Sequence, residues 1–234
     1  MERQMAITLA FDVYGTLIDT HGVVVMLQQH LGDRAAEFSR MWREKQLEYS
    51  FRRGLMQNYQ NFAVCTSNAL DYTCTYYRLP LTQNDKQALL DAYQVLPAFG
   101  DVTRGLTQAR EQGFRMFAFS NGSAEAVEKL LTTAGIRNFF SDVVSVDEMK
   151  SFKPNPGVYC HFLRRAGTTG AETWLISSNP FDVLGALSAG LRAAWVKRSI
   201  DAIFDPWGVE PTLTAASLTE LAAQITACAS DAPG

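Results

Sequence analysis

Asp12 stands directly after the apolar run MAITLAF (residues 5–11), second in the stretch FDVYGTL, so an ionisable carboxylate lies where a buried strand should end. Other segments repeat the arrangement. Ser120-Asn121-Gly122-Ser123 follows FRMFAF, Lys153 comes after SDVVSV, and Ser177-Ser178-Asn179 ends TWLIS with Asp182 just beyond. A carboxylate ionised at neutral pH can act as nucleophile or base, and a lysine beside it supplies fixed positive charge. An acid at a strand end also has an ordinary use, opening a turn or capping a helix. Four strand ends that deliver Asp, Ser/Asn, Lys and Asn/Asp to one rim are harder to explain by solvation, because such groups are costly to bury without purpose. In an open parallel sheet, ligands bind at that carboxyl rim.

The elements that must hold these groups are legible in the apolar pattern. Runs at 5–11, 114–120, 141–146, 173–177 and 192–197 are apolar almost throughout and are separated by helical stretches. This is the pattern of parallel strands covered on both faces, so the expected class is α/β, a Rossmann-like parallel sheet with helices on both sides. Between the first and second runs the rhythm breaks. Residues 18–98 contain no comparable strand; Phe38, Trp42 and Tyr49 fall on one helical stripe, and Phe62, Ala69, Tyr72 and Tyr76 on another. Both stripes are expected to pack between helices. The reading is a core of residues 1–17 and 99–234 and an all-helical cap, 18–98, inserted where a lid would cover the sheet's carboxyl edge. The last residues, ASDAPG, are expected to fray.

Composition narrows the partners. A formal net charge of -3 over 234 residues gives no broad field for nucleic acid or an anionic membrane, and no run approaches a membrane span. The N-terminal apolar stretch is too short for a signal sequence, and the four cysteines show no CxxC pair, which fits a reducing cytoplasm. His21, His30 and His161 lack zinc spacing and are expected to be structural, and neither dinucleotide nor P-loop glycine motifs occur. No zinc or dinucleotide cofactor is expected.

In order and spacing, FDVYGTL, FSNGS, FKPNPGVY and SSNPFD resemble the four motifs of the haloacid dehalogenase superfamily, over almost the whole chain. Most members of that superfamily are Mg-dependent phosphatases with DxD in the first motif, whereas the dehalogenase branch has DxY, and here Tyr14 holds the second position. Ser178 stands where a phosphatase has the first acid of its fourth motif. A departing alcohol needs a proton and a phosphoryl group needs a metal; a halide needs neither. The segment MWREKQLEYSF is similar to the cap of the L-2-haloacid dehalogenases and supplies Arg43.

The resemblance implies a small 2-haloacid substrate, displacement of halide by Asp12, and hydrolysis of the resulting ester by water attacking the Asp12 carboxyl carbon, giving a 2-hydroxyacid of inverted configuration. It implies that Thr16 and Lys153 position Asp12, that Ser120 helps hold the substrate carboxylate, and that Arg43, Asn121 and Phe181 cradle the halide. Phe181 stands where relatives carry tryptophan. Asp182, with Ser177 and Asn179, would orient or deprotonate water; Tyr14 would contact the substrate or pocket wall, and Tyr159 would hydrogen-bond near Lys153, although either tyrosine also suits simple packing. A homodimer through the helices of residues 36–78 is the family-level expectation. A Mg-dependent phosphatase or phosphonatase-like enzyme of the same fold, and a non-catalytic carboxylate-binding α/β protein, remain as alternatives.

Overall fold

The computed structural model describes residues 7–230. Six parallel strands, β1 (Thr8–Phe11), β2 (Arg115–Ser120), β3 (Asp142–Ser145), β4 (Thr173–Ser177), β5 (Arg192–Val196) and β6 (Leu213–Ala215), form one sheet in the order β3-β2-β1-β4-β5-β6. The strand order reverses at β1, so β1 has neighbours on both sides and its carboxyl end opens at a topological switch point. Five strands follow the apolar runs. The start of the first run, residues 5 and 6, lies outside the described residues. β6 has no counterpart in the pattern because it is a three-residue edge strand whose middle residue, Thr214, faces solvent.

Side chains alternate across the pleat into two cores. Leu9, Phe11, Met116, Ala118, Trp174, Ile176 and Ala194 meet α5 (Val102–Glu111), α6 (Ala124–Thr133) and α9 (Leu218–Ser230). Ala10, Phe117, Phe119, Leu175 and Ala193 meet α7 (Pro156–Ala166) and α8 (Pro180–Ser188) on the opposite face. Helices on both faces explain why the strands are apolar at successive positions rather than alternating with polar ones. Of the segment expected to fray, Ala229 and Ser230 end α9, and residues 231–234 lie outside the described residues.

Four helices lie between β1 and α5: α1 (Gly22–Leu31), α2 (Ala35–Leu55), α3 (Phe62–Tyr77) and α4 (Gln83–Ala92). The chain enters and leaves this insert at one place, where Ile18 and Ala98 form an antiparallel bridge, Asp19 N–H donates to Pro97 O at 2.8 Å, and Phe99 N–H donates to Leu17 O at 3.0 Å. On α2 the buried stripe runs Phe38, Trp42, Gln46, Ser50, with Tyr49 only half-buried. On α3, Phe62 and Ala69 are buried as expected, but Tyr72 and Tyr76 are 38% and 60% exposed. The inward face there is carried by Cys65, Leu70, Thr73, Cys74 and Tyr77, so the two exposed tyrosines lie on the flank, where they stack at 6.4 Å.

Candidate active site

Asp12 follows β1 and extends its ladder by one bond, its N–H donating to Ile176 O at 2.9 Å. The chain must then turn at once. Val13 O accepts from the N–H groups of Thr16, Leu17 and Ile18, and Gly15 takes φ +84°, a conformation strained for any side chain with a Cβ. This tight turn brings Thr16 Oγ1 back onto the strand end, where it donates to Asp12 Oδ2 at 2.8 Å while accepting from Ser178 N–H at 2.9 Å.

The two oxygens of Asp12 are treated differently. Oδ2 accepts from Thr16, from Asn179 Nδ2 at 2.7 Å and from Ser177 Oγ at 3.4 Å. Oδ1 has one protein donor among the described residues, Lys153 Nζ at 3.2 Å. Lys153 is only 1% exposed, and its ammonium also donates to Phe119 O and to Asp182 Oδ2, each at 2.8 Å. Three acceptors satisfy its three protons. The Lys153 backbone N–H is held by Asn121 Oδ1 at 3.0 Å, leaving the Asn121 Nδ2 group without a partner among the described residues.

Asp182 sits on the other side of that ammonium. It is fully buried; one oxygen takes Lys153 and the other accepts from Tyr159 OH at 2.7 Å. Burial pushes its carboxyl above the usual range, the Lys153 charge opposes this, and the Asp12 charge adds to it. Burial and then the Asp182 charge raise the Tyr159 phenol well above its ordinary value, so this hydroxyl is a fixed donor. Gly185 makes the approach possible, because a Cβ there would collide with Tyr159 OH and Pro154.

The other expected residues surround this centre. Ser120 is buried and accepts from Gly122 N–H at 3.1 Å, and its own proton has no acceptor among the described residues. Ser123 caps α6 by accepting from Ala126 N–H, so the first turn of that helix opens beside Gly122. Arg43 on α2 reaches the core, donating from Nη2 to Tyr14 O at 3.4 Å and from Nη1 to Gln46 Oε1 at 2.6 Å. Burial pushes the Tyr14 phenol up to about 12, against the lowering effect of Arg43, so it is neutral at physiological pH. Phe181 makes an edge contact with Phe51 of α2 at 5.0 Å. Arg43, Asn121 and Phe181 share no direct hydrogen bond or ring contact. Ser177 and Asn179 bond to Asp12 and not to Asp182.

A cleft of about 400 Å³ separates the insert from α6, lined among others by Tyr14, Gln46, Phe62, Tyr93, Gly122 and Lys129. It lies beside Asp12 rather than on it, since Tyr14 and Gly122 form its wall and the carboxylate does not. Two supporting residues lie outside the expected set. Gln46 is legible in retrospect as a polar residue on an apolar i, i+4 stripe. Arg198 carries no such signal; it donates to Thr16 O at 2.6 and 3.2 Å and pairs with both oxygens of Asp101 at 2.8 Å, anchoring the turn after Asp12.

Residues 8–190 match the haloacid dehalogenase-like hydrolases. The chain is 35% identical over 210 residues to the (S)-2-haloacid dehalogenase of Pseudomonas sp. strain YL, covering 90% of each chain. It is 35% identical over 206 residues to haloacetate dehalogenase H-2 of Moraxella sp. strain B, covering 88% of this chain and 92% of the relative. Its structure superimposes with a TM-score of 0.88 on the L-2-haloacid dehalogenase of Xanthobacter autotrophicus with chloropropionic acid covalently bound, at 28% identity, covering 95% of this chain and 99% of that one. A carboxylate held by hydroxyl, amide and ammonium groups at the switch point of a parallel sheet, together with these likenesses, means that the chain belongs to the haloacid dehalogenase-like hydrolases and, within them, to the L-2-haloacid dehalogenase family.

Proposed function

We propose that the protein hydrolyses short L-2-haloalkanoic acids to D-2-hydroxyacids and halide through an ester on Asp12, without a metal ion. The observation that carries this reading is the unequal treatment of the two Asp12 oxygens. Oδ2 takes three donors and Oδ1 only the lysine, so Oδ1 keeps the lone pairs to attack carbon. Its electron pair forms the O–C2 bond as the C2–halogen bond breaks, and the halogen leaves with the bonding pair as halide. Oδ2 then becomes the ester carbonyl. When water adds to the Asp12 carboxyl carbon, the negative charge develops on Oδ2, where Thr16, Ser177 and Asn179 already donate. Collapse expels the hydroxyacid oxygen, which takes the second proton of the added water as it leaves, so that Asp12 returns to a carboxylate containing the oxygen of water. We assign the proton of that water to Asp182, the neighbouring carboxylate whose proton affinity is raised.

Substrate and nucleophile are both anionic, so fixed positive potential must offset their repulsion. Lys153, the unspent Ser120 proton and the first turn of α6 are assigned to the substrate carboxylate. Arg43, Asn121 Nδ2 and Phe181 are assigned to the departing halide, and Tyr14 to the pocket wall. In this reading residues 18–98 are the cap, core residues being 1–17 and 99–234, and Arg43 is its contribution to chemistry. Independence of metal is supported by Lys153 occupying the space between the two carboxylates and by Ser178, whose Oγ donates to Gly15 O at 2.8 Å where a phosphatase relative would offer a carboxylate.

No helix among the described residues is long and apolar enough to cross a membrane, and Cys65, Cys74, Cys160 and Cys228 are all free thiols, in keeping with a cytoplasmic enzyme. The test is halide release from L- and D-2-chloropropionate in the presence of chelator, followed by one turnover in heavy-oxygen water with enzyme in excess. We expect release from the L form only, and label in Asp12 rather than in the hydroxyacid. Cleavage of a phosphate ester with Mg2+ and no halide release would replace this reading with the phosphatase one.

A further inference from the structure

Gln46 lies on the face of α2 that packs against α3, and only 2% of it is exposed. A buried primary amide needs partners on both ends, and the bonds around this one have a fixed direction. Thr66 donates its single hydroxyl proton to Phe62 O at 2.9 Å, one turn back on α3. Its Oγ1 can therefore only accept from Gln46, at 2.5 Å, and the group facing it must be the Gln46 NH2. The amide oxygen is thereby turned to the other side, where it accepts from Arg43 Nη1 at 2.6 Å. Thr66 is itself pinned at its carbonyl by Trp42 Nε1 at 2.9 Å. Arg43 has no ion-pair partner among the described residues, and its only other bond runs to the Tyr14 carbonyl beside Asp12.

We propose that Gln46 is a positioning residue for Arg43: a neutral amide, locked in one orientation by Thr66, that aims the guanidinium at the reaction centre while leaving its full charge for the departing halide. This rests on the dehalogenase reading. A carboxylate in the same place would hold Arg43 equally well but cancel its charge; an apolar side chain would leave the charge but release the side chain. An amide does both jobs, and its correct orientation costs nothing at the moment of reaction because it is built into the helix pair.

The test compares 2-chloro- and 2-bromopropionate, since chloride leaves less readily and depends more on stabilisation at the leaving group. In Gln46→Glu, kcat/KM on the chloro acid should fall roughly ten- to a hundred-fold and on the bromo acid several-fold less, and inhibition by added bromide should weaken about ten-fold. Thr66→Val, which removes the lock without touching Arg43 or Gln46, should shift the bromo-to-chloro ratio in the same direction, and Thr66→Ser should restore it. A purely structural role would lower both substrates equally. Equal losses on the two acids, or an unchanged ratio in Gln46→Glu and Thr66→Val with wild-type bromide inhibition, overturns the proposal while the dehalogenase reading stands. Absence of halide release by the unmodified protein from either acid overturns both.

Discussion

At the scale of single residues, the site is organised around one ammonium that joins two carboxylates in unlike settings. Asp12 is at the rim and Asp182 is fully buried, so on the proposed mechanism the same Lys153 faces the nucleophile on one side and the base, a group of raised proton affinity, on the other. The base form of Asp182 is the ionised one. Because burial raises its pKa, activity should rise with pH through a midpoint above 3.8, the unperturbed value, and the acid limb of kcat should report it. Asp182→Asn should lower kcat roughly 10²- to 10⁴-fold and abolish that limb, while the Asp12 ester, formed in the earlier step, accumulates and is detected by intact mass. Asp12 and the polar cluster of residues 177–179 were legible because a strand pattern ends at each, and Lys153 because it lies in the loop after the third run. Gln46 left only a polar residue on an apolar stripe, and Arg198 left no signal, because their partners lie 20 and 182 positions away, a separation that no local pattern records.

At the scale of elements, the insert is fastened to the core across the cleft. The loop after α2 carries Tyr59, which donates its hydroxyl to Asp147 after β3 and stacks on Phe152 at 5.0 Å. On another edge Lys129 of α6 donates to Gln94 Oε1 at 3.0 Å. The Tyr59 hydrogen bond, aided by Lys150, holds the Asp147 carboxyl below its usual range, and burial together with that bond raises the Tyr59 phenol. A depressed acid stabilises above its unfolded pKa and loses the contribution as pH falls through the folded one; a raised phenol does so below its own unfolded value. The latch is therefore complete between the unperturbed values of 3.8 and 10.0 and weakens on either side. Tyr59→Phe keeps the stack and removes the bond. It should cost about 1 kcal/mol and speed amide exchange in residues 56–62 at pH 7, and the difference from the parent should shrink in strong acid. The sequence showed the insert as helical, yet only the structure gives the latch, since Tyr59 and Asp147 are 88 positions apart and nothing local to either names the other.

At the scale of the whole molecule, the exposed face of α3 bears on assembly. Tyr72 and Tyr76 stack on one another, Tyr49 meets Tyr72 at 6.3 Å, and Lys45 lies over Tyr72 at 4.5 Å. We propose that the protein forms a homodimer through this aromatic flank; on that reading Tyr76→Glu should give monomers in sedimentation where the parent sediments as a dimer, with circular dichroism retained. The parallel sheet was readable because doubly covered strands are apolar throughout, and the edge strand β6 escaped because it is short and half-wet. The neck at Ile18 and Ala98 has a different kind of consequence. To the sheet, everything between those residues is one long excursion that starts and finishes at the same address, and doubling its length would add only about 0.6 kcal/mol of closure entropy. The excursion carries Arg43 and the core carries Asp12. On the proposed mechanism, replacing the excursion would change only the arginine's share of the halide contact, because Asn121, Phe181 and the nucleophile stay with the strands.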